Sequence, residues 1–422
     1  MSESQQGEDR IVQRASALST AACAALLAAH AAAQPPAPGE VEKGRYLARV
    51  GDCVSCHTAP GGKPYAGGRA IDTGFGTLYT PNITPDPQTG IGGWSADDFY
   101  RAMHAGRDEH GRHLYPAFPY PWFTKVTRSD VDAIKAYLDT LEPVRQPNKA
   151  PELSWWLSWR PLMAGWNLVN FDPGEFKPDP NRSAEWNRGA YLVEGLGHCG
   201  DCHTAKKTFG GPLQSQPLQG GVWQGWYAPE LTGDRREGLG GWSTADIVEY
   251  LKTGSTARTA SAGRMSEVIA HSTRYFSDAD LASVATYLKS LPATPSDDTP
   301  VALGGAALRR GEGLFEDHCA ACHMHDGSGI PNLYPSLKGN PILQARDPMT
   351  VIKIVLGGAR MVSTPEKPTG AAMPAFDWKL DDAEIADVAN YVRNAWGNRA
   401  PLTDARAVAA LRKTVDPRTA AR

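Results

Sequence analysis

Long apolar runs are scarce in this chain of 422 residues. Beyond residue 33 no segment reaches about 18 consecutive apolar residues, the length of a membrane-spanning helix. An excess of either charge is also missing. The chain carries 43 Lys and Arg against 46 Asp and Glu, a formal net charge of −3. That balance gives no reason to expect nucleic acid or an anionic membrane surface as a partner. No Gly-x-Gly-x-x-Gly opens a βαβ unit, so no flavin or nicotinamide domain is evident. Cysteine is rare, with seven in all.

Six of those seven fall into one repeated motif. The copies are Cys53-Val54-Ser55-Cys56-His57, Cys199-Gly200-Asp201-Cys202-His203 and Cys319-Ala320-Ala321-Cys322-His323. Cys-x-x-Cys-His is the attachment pattern of c-type haem. Cysteines three apart on a helical turn share one face, so both thiols reach the two vinyl groups of one porphyrin. The following histidine then supplies the proximal iron ligand. The other readings of Cys-x-x-Cys fail on spacing. A structural zinc site pairs two such motifs about 12 to 20 residues apart. Here 142 residues separate Cys56 from Cys199, and 116 separate Cys202 from Cys319. A thioredoxin-like pair would occur once, in a βαβ setting, and would not need the histidine. The expectation is three covalently bound haem c groups. Cys53, Cys56, Cys199, Cys202, Cys319 and Cys322 attach them, and His57, His203 and His323 bind the irons.

The N-terminus points to export. Arg10 and Arg14 precede an alanine-rich run from Ala15 to Ala33, and Ala31 and Ala33 stand before Gln34-Pro35-Pro36. That order of charged, apolar and small residues is a secretory signal over 1–33, cut after Ala33. Cys23, the seventh cysteine, falls within it. A periplasmic location follows, because haem c is attached on the outer side of the bacterial inner membrane.

Internal repetition sets the domains. Each motif closes a helical run that begins at a glycine followed by an aromatic: Gly44 and Tyr46, Gly189 and Tyr191, Gly311 and Phe315. An amphipathic helix with an acidic first turn ends each repeat, over Ser129 to Leu141, Ser277 to Leu291 and Asp381 to Trp396. Tyr137, Tyr287 and Tyr391 occupy one equivalent point in them. A middle helix opens at Ser95 and again at Ser243, each with an acidic residue three positions on, as in a capping box. The fold expected is all-α, three tandem class I cytochrome c domains. The boundaries are 34–145, 185–292 and 304–399, joined by linkers at 146–184 and 293–303 and followed by a polar tail at 400–422. The first linker contains Trp155, Trp156, Trp159 and Trp166. It is too apolar to hang free, and packing between the first two domains is expected, with a partner surface or membrane contact as the alternative.

The sixth iron ligand decides what each haem does, since methionine raises the potential and closes the iron. Met265 lies 63 residues after Cys202 and is the only methionine of its domain. Met373, in Met373-Pro374-Ala375-Phe376, is the choice for the third domain over Met361 and Met349. The first domain departs from this pattern. Phe118, 62 residues after Cys56, stands at the position of Met265. Met103 and His113 are the protein ligands to test there, His104 and His110 are further candidates, and an open iron is the remaining possibility.

Pro81-Asn82-Ile83-Thr84-Pro85-Asp86, Leu114 to Tyr120, Trp186 to Leu192 and Met373 to Asn398 carry a family resemblance. The chain resembles the tri-haem cytochrome c subunits of bacterial periplasmic membrane-bound dehydrogenases of the alcohol, gluconate and sorbitol type. These are related to the cytochromes of molybdenum hydroxylases. The resemblance implies an electron relay. A catalytic subunit of flavin, quinoprotein or molybdenum type oxidises the substrate, and this chain passes the electrons to a quinone, a downstream cytochrome or an oxidase. Phe118 stands where many members carry methionine. The C-terminal amphipathic anchor of several members is not expected here, which leaves peripheral membrane association. A free-standing electron shuttle and a peroxidase-like enzyme with an open first haem are the readings from other classes.

Overall fold

Three pairs of helices cross in the same way, and each crossing is set by a glycine. The helix Pro38–Val50 crosses Arg128–Leu138, Ala184–Tyr191 crosses Asp278–Lys289, and Gly305–His318 crosses Asp382–Val392. A Cβ on Gly44 would lie 1.8 Å from the Ala133 carbonyl oxygen. On Gly189 it would lie 2.0 Å from that of Ser283, and on Gly311 2.3 Å from that of Asp387. The Cβ atoms of Tyr137, Tyr287 and Tyr391 are the next neighbours, at 2.9, 2.8 and 2.8 Å. No other residue allows such an approach of backbones.

The computed structural model describes residues 37–295, 305–331 and 333–415. The expected export segment 1–33, with Cys23, lies outside the described residues, as does most of the 293–303 linker. Residues Glu40–Arg422 cluster as one unit.

Capping explains where the middle helices start. Ser95 Oγ accepts from Asp98 N at 3.1 Å and the Asp98 carboxylate accepts from Ser95 N at 3.0 Å, opening Ala96–Ala105. Ser243 and Asp246 repeat this box at the head of Thr244–Thr253. The corresponding Met349–Gly357 helix begins after Pro348 with no side-chain cap.

The chain is helix-rich, but the all-α expectation needs correction. Three small antiparallel ribbons are present among the described residues. Ala70–Thr73 pairs with Gly76–Tyr79, which also pairs with Glu152–Leu153 of the first linker. Gly221–Trp223 pairs with Trp226–Ala228, and Ala359–Arg360 with Ala372–Met373. Strands of two to four residues are too short to show an alternating pattern in sequence, which is why they escaped notice.

One core cluster runs through both of the first two helix pairs, including Leu47, Ile134, Leu192 and Leu281. The joint between them is reciprocal. Tyr46 OH donates to Asp280 at 2.5 Å, and Tyr191 OH donates to Asp130 at 2.6 Å. Tyr46 and Tyr191 are equivalent in the repeat, and so are Asp280 and Asp130. Each half therefore uses the same residues to hold the other, as in an isologous dimer. The third pair has its own cluster around Phe315, Ile352 and Ile385. It joins the second pair through polar contacts, among them Arg346 with Glu237 at 3.3 Å and Thr350 Oγ1 donating to the Tyr227 carbonyl at 2.9 Å.

The expected polar tail is partly ordered. Ala405–Arg412 is helical, Val408 is fully buried, and Arg412 pairs with Asp382 at 2.7 Å. The tryptophan-rich linker divides in two. Phe176 packs its ring 5.8 Å from that of Tyr191, and Glu175 accepts from Tyr100 OH and from Arg128 N, both at 2.9 Å. Trp155, Trp156 and Trp159, by contrast, stay exposed.

Asp280 also takes two bonds from Arg188, both 2.8 Å. Burial raises its carboxyl, but the Arg188 and Tyr46 bonds outweigh that and hold it below the usual aspartate value. A depressed carboxyl stabilises the fold above its unfolded pKa of about 3.9, and the gain is lost as pH falls through the folded value. Asp280→Asn should cost about 1–3 kcal/mol at pH 7 and flatten the acid limb of the stability curve. Urea unfolding from pH 7 to pH 3 measures both effects.

Candidate haem-attachment sites

Each Cys-x-x-Cys-His sequence forms a single helical turn just after the first helix of its pair. The turns are Cys53–Cys56, Gly200–His203 and Ala320–His323. The backbone closes them by bonds from His57 N to Cys53 O, His203 N to Cys199 O and His323 N to Cys319 O, each 3.0 Å. Two thiols and the imidazole that follows are thus carried by one turn.

The three imidazoles are held alike. His57 Nδ1 lies 2.8 Å from the Pro81 carbonyl oxygen, His203 Nδ1 2.6 Å from that of Pro229, and His323 Nδ1 3.3 Å from that of Pro335. A carbonyl only accepts, so Nδ1 carries the proton and Nε2 keeps its lone pair. Burial lowers the pKa of all three rings, against a smaller opposing effect of the carbonyl. Neutral imidazole is the form that binds a metal. Sequence reasoning missed these prolines. The signal was there, in Pro81-x-Ile83, Pro229-x-Leu231 and Pro335-x-Leu337 after the three motifs. The separations from histidine to proline are 24, 26 and 12 residues, which hides the repeat. A ribbon is inserted in the first two cases and not in the third.

Burial pushes the Cys53 thiol up to about 12 and those of Cys199 and Cys319 up to about 11. Burial thus favours the protonated thiol over the thiolate. Among the described residues no group of three or more His, Cys, Asp or Glu could hold a metal ion.

Cys199, Cys202, His203 and Met265 line one cleft, with about 1620 Å³ of unfilled space counted to its open mouth. Leu192, Val193, Leu239, Trp242, Tyr250 and Val284 form apolar walls. Thiols and imidazole on one turn, a thioether on the same cleft and apolar walls between them fit a porphyrin. Met373 is half-buried on the Ala372–Met373 strand. Phe376, three residues on, sets its ring 6.2 Å from His318, which precedes Cys319.

The candidates for the first site are dispersed. Met103 is 4% exposed within the core cluster, on the Ala96–Ala105 helix. His104 stacks on Tyr100 at 4.9 Å. His110 is exposed, and its nearest charged partner is Glu109. His113 Nδ1 lies 3.3 Å from Asn167 Nδ2, and the His113 carbonyl accepts from Arg160 at 2.7 Å. Phe118 packs its ring 5.4 Å from Phe123, whose ring lies 5.2 Å from His198 beside Cys199.

The first two motif turns lie against each other's halves. Arg69 donates to the Ser55 carbonyl at 2.8 Å and pairs with Glu267, two residues after Met265, at 2.5 Å. On the other side Trp122, four residues after Phe118, covers Gly200 of the second motif.

A family model for cytochrome c matches residues 41–142 and 308–396. The alcohol dehydrogenase (quinone) cytochrome c subunit of Gluconacetobacter polyoxogenes is 40% identical over 417 residues, covering 93% of this chain and 88% of the relative. The chain belongs to the dehydrogenase cytochrome c subunits. Its cofactor is covalently bound haem c. The gluconate 2-dehydrogenase cytochrome c subunit of Pantoea cypripedii is 42% identical over 395 residues, 88% of this chain and 89% of that one. A diheme cytochrome c-type protein of Cereibacter sphaeroides is 37% identical over 263 residues, 60% of this chain and 87% of its own length. No helix among the described residues is long and apolar enough to cross a membrane.

The identity of residue 200 follows from the packing between the two halves. A Cβ there would lie 2.3 Å from the Trp122 ring, whereas the first motif has Val54 at the equivalent position. Gly200→Ala should cost about 1–3 kcal/mol by overpacking, read by thermal unfolding. Trp122→Leu in the same chain should recover most of the loss.

Proposed function

We propose that the chain is a periplasmic electron relay of three tandem class I cytochrome c domains holding three haem c groups. It takes electrons from a dehydrogenase catalytic subunit and passes them to a quinone or a downstream oxidase. The observation that carries this reading is the reciprocal packing of the first two motif turns. Arg69 ties Ser55 of one to Glu267 on the Met265 helix of the other, and Trp122 covers Gly200 in return. Two redox centres built into one core exchange electrons without domain motion.

The haem supplies one-electron exchange between ferrous and ferric iron. The chain supplies the rest. Cys53, Cys56, Cys199, Cys202, Cys319 and Cys322 anchor the groups. The proline carbonyls orient His57, His203 and His323 with Nε2 free. Met265 and Met373 provide thioethers as sixth ligands, and apolar walls exclude water. Phe118 withholds a thioether from the first site. Met103, which is buried in the core, and His113 are the protein ligands to test at that position. The partner's catalytic subunit carries the substrate specificity.

Mass spectrometry of the mature protein should show three haem additions on a chain beginning at Gln34. Two additions, or free thiols after expression with working attachment machinery, would end the three-domain reading. Met265→Ala should abolish one methionine–iron charge-transfer contribution and lower one haem potential, leaving the other two within error, because the lost thioether binds one iron only. Phe118→Met should add such a contribution. Redox titration followed by visible absorption distinguishes these outcomes.

A further inference from the structure

The cleft of Cys199, Cys202, His203 and Met265 is not walled by its own repeat alone. Pro341, Ile342 and Thr350 of the third repeat line it too. Lys353 follows Thr350 by three residues on the Met349–Gly357 helix, so the two share a face. Lys353 is only 8% exposed. Its Nζ lies 5.3 Å from the centre of the Trp226 ring, and a Cβ on Gly225 would come within 2.9 Å of it. Trp226 lines the cleft and presses on the head of the Arg264–His271 helix, where a Cβ on Gly263 would lie 2.7 Å from the ring. Lys353, Trp226 and Arg264 therefore stand together, next to Met265.

This corner holds more positive charge than the chain balances. A buried ammonium is costly unless an anion accompanies it. Burial lowers the pKa of Lys353, and the charged neighbour that acts on it, Arg264, has the same sign and lowers it further. The carboxylates nearby are already engaged. Glu267 is shared between Arg264 at 2.8 Å and Arg69 at 2.5 Å. Glu230 and Glu237, on the cleft lining, pair with Arg346 at 3.8 and 3.3 Å. A hydroxyl donor is in the same position. Tyr227, beside Trp226 on the cleft lining, is 8% exposed, and its hydroxyl has no hydrogen-bond partner among the described residues.

Haem c carries two propionate carboxylates on one edge of its ring. We propose that Lys353 of the third repeat, with Arg264 and the Tyr227 hydroxyl, holds the propionates of the haem attached at Cys199 and Cys202. The third repeat thereby completes the second haem's site. The inference rests on the relay reading and adds a control on one of its centres. A cation at the propionate edge disfavours ferric iron, which carries one more positive charge than ferrous. Lys353 accordingly raises the potential of a haem in another repeat.

Redox titration of the holoprotein, followed by visible absorption, provides the test. Met265→Ala marks which potential belongs to the second haem, and Met373→Ala marks the third. Lys353→Met keeps the length of the side chain and removes the charge. It should shift the second haem's equilibrium towards ferric iron by roughly 10-fold, about 59 mV for a one-electron centre, and leave the other two unmoved. Lys353→Arg should restore most of the shift. Lys367→Met controls for loosening of the third repeat, since it breaks the 2.7 Å pair with Glu249 across the same joint. It should leave the second potential within error. The inference is overturned if Lys353→Met moves no potential or moves the third haem's instead. It is equally overturned if Lys353→Arg or Lys367→Met lowers the second potential as far as Lys353→Met does, because the contact then acts through packing and not charge. Mass spectrometry of the Cys199–Cys202 peptide separates the two readings. A peptide without haem would overturn the three-haem relay as well, whereas an attached haem whose potential ignores Lys353 refutes only this inference.

Discussion

Contact between two helix backbones at a glycine underlies everything else in this protein. Gly44 against Ala133, Gly189 against Ser283 and Gly311 against Asp387 let the first and last helices of each repeat approach until one meets the other's carbonyl oxygens. The motif turn follows within a few residues of the first helix in the first and third repeats, and after a further helical segment, Leu192–Leu196, in the second. The cysteines and the histidine of the motif therefore inherit their position from a contact made by none of their own side chains. A methyl group at any of the three glycines would push the helices apart and carry the motif away from its proline carbonyl.

The first two repeats are joined more intimately than the second and third. A shared apolar core, the exchanged Tyr46–Asp280 and Tyr191–Asp130 bonds, and the mutual cover of the motif turns make one body of the first two repeats. Buried tyrosine–carboxylate bonds suit such a joint because they demand a single geometry and leave costly unpaired groups when it is lost. The third repeat keeps its own core and meets the second through Arg346, Thr350 and Lys367.

The departures from repetition fall together. Phe118 stands in place of a thioether, the linker after the first repeat is rich in tryptophan, and an apolar cavity borders the loop that leads to Phe118. Arg160 and Leu157 bind the linker to that loop through His113 and Tyr115.

Cofactor chemistry was legible in the sequence because covalent attachment demands fixed residues at fixed spacing, and the helices were legible because glycine, tyrosine and capping serine recur at equivalent points. Met265 stood out as the only methionine of its domain, and the structure places it on the cleft of Cys199, Cys202 and His203. The ribbons were not legible, since strands of two to four residues carry too little pattern. Neither were the histidine-orienting prolines, whose distance from the motif changes with each ribbon inserted before them. The sequence does not show how deeply Met103 sits, and the tertiary structure buries it in a core that two repeats build together. Likewise, a run of tryptophans signals apolar surface but not which rings are covered. Only the tertiary structure separates the half-buried Phe176 end from the exposed Trp155–Trp159 end, because coverage depends on neighbours brought in from far along the chain.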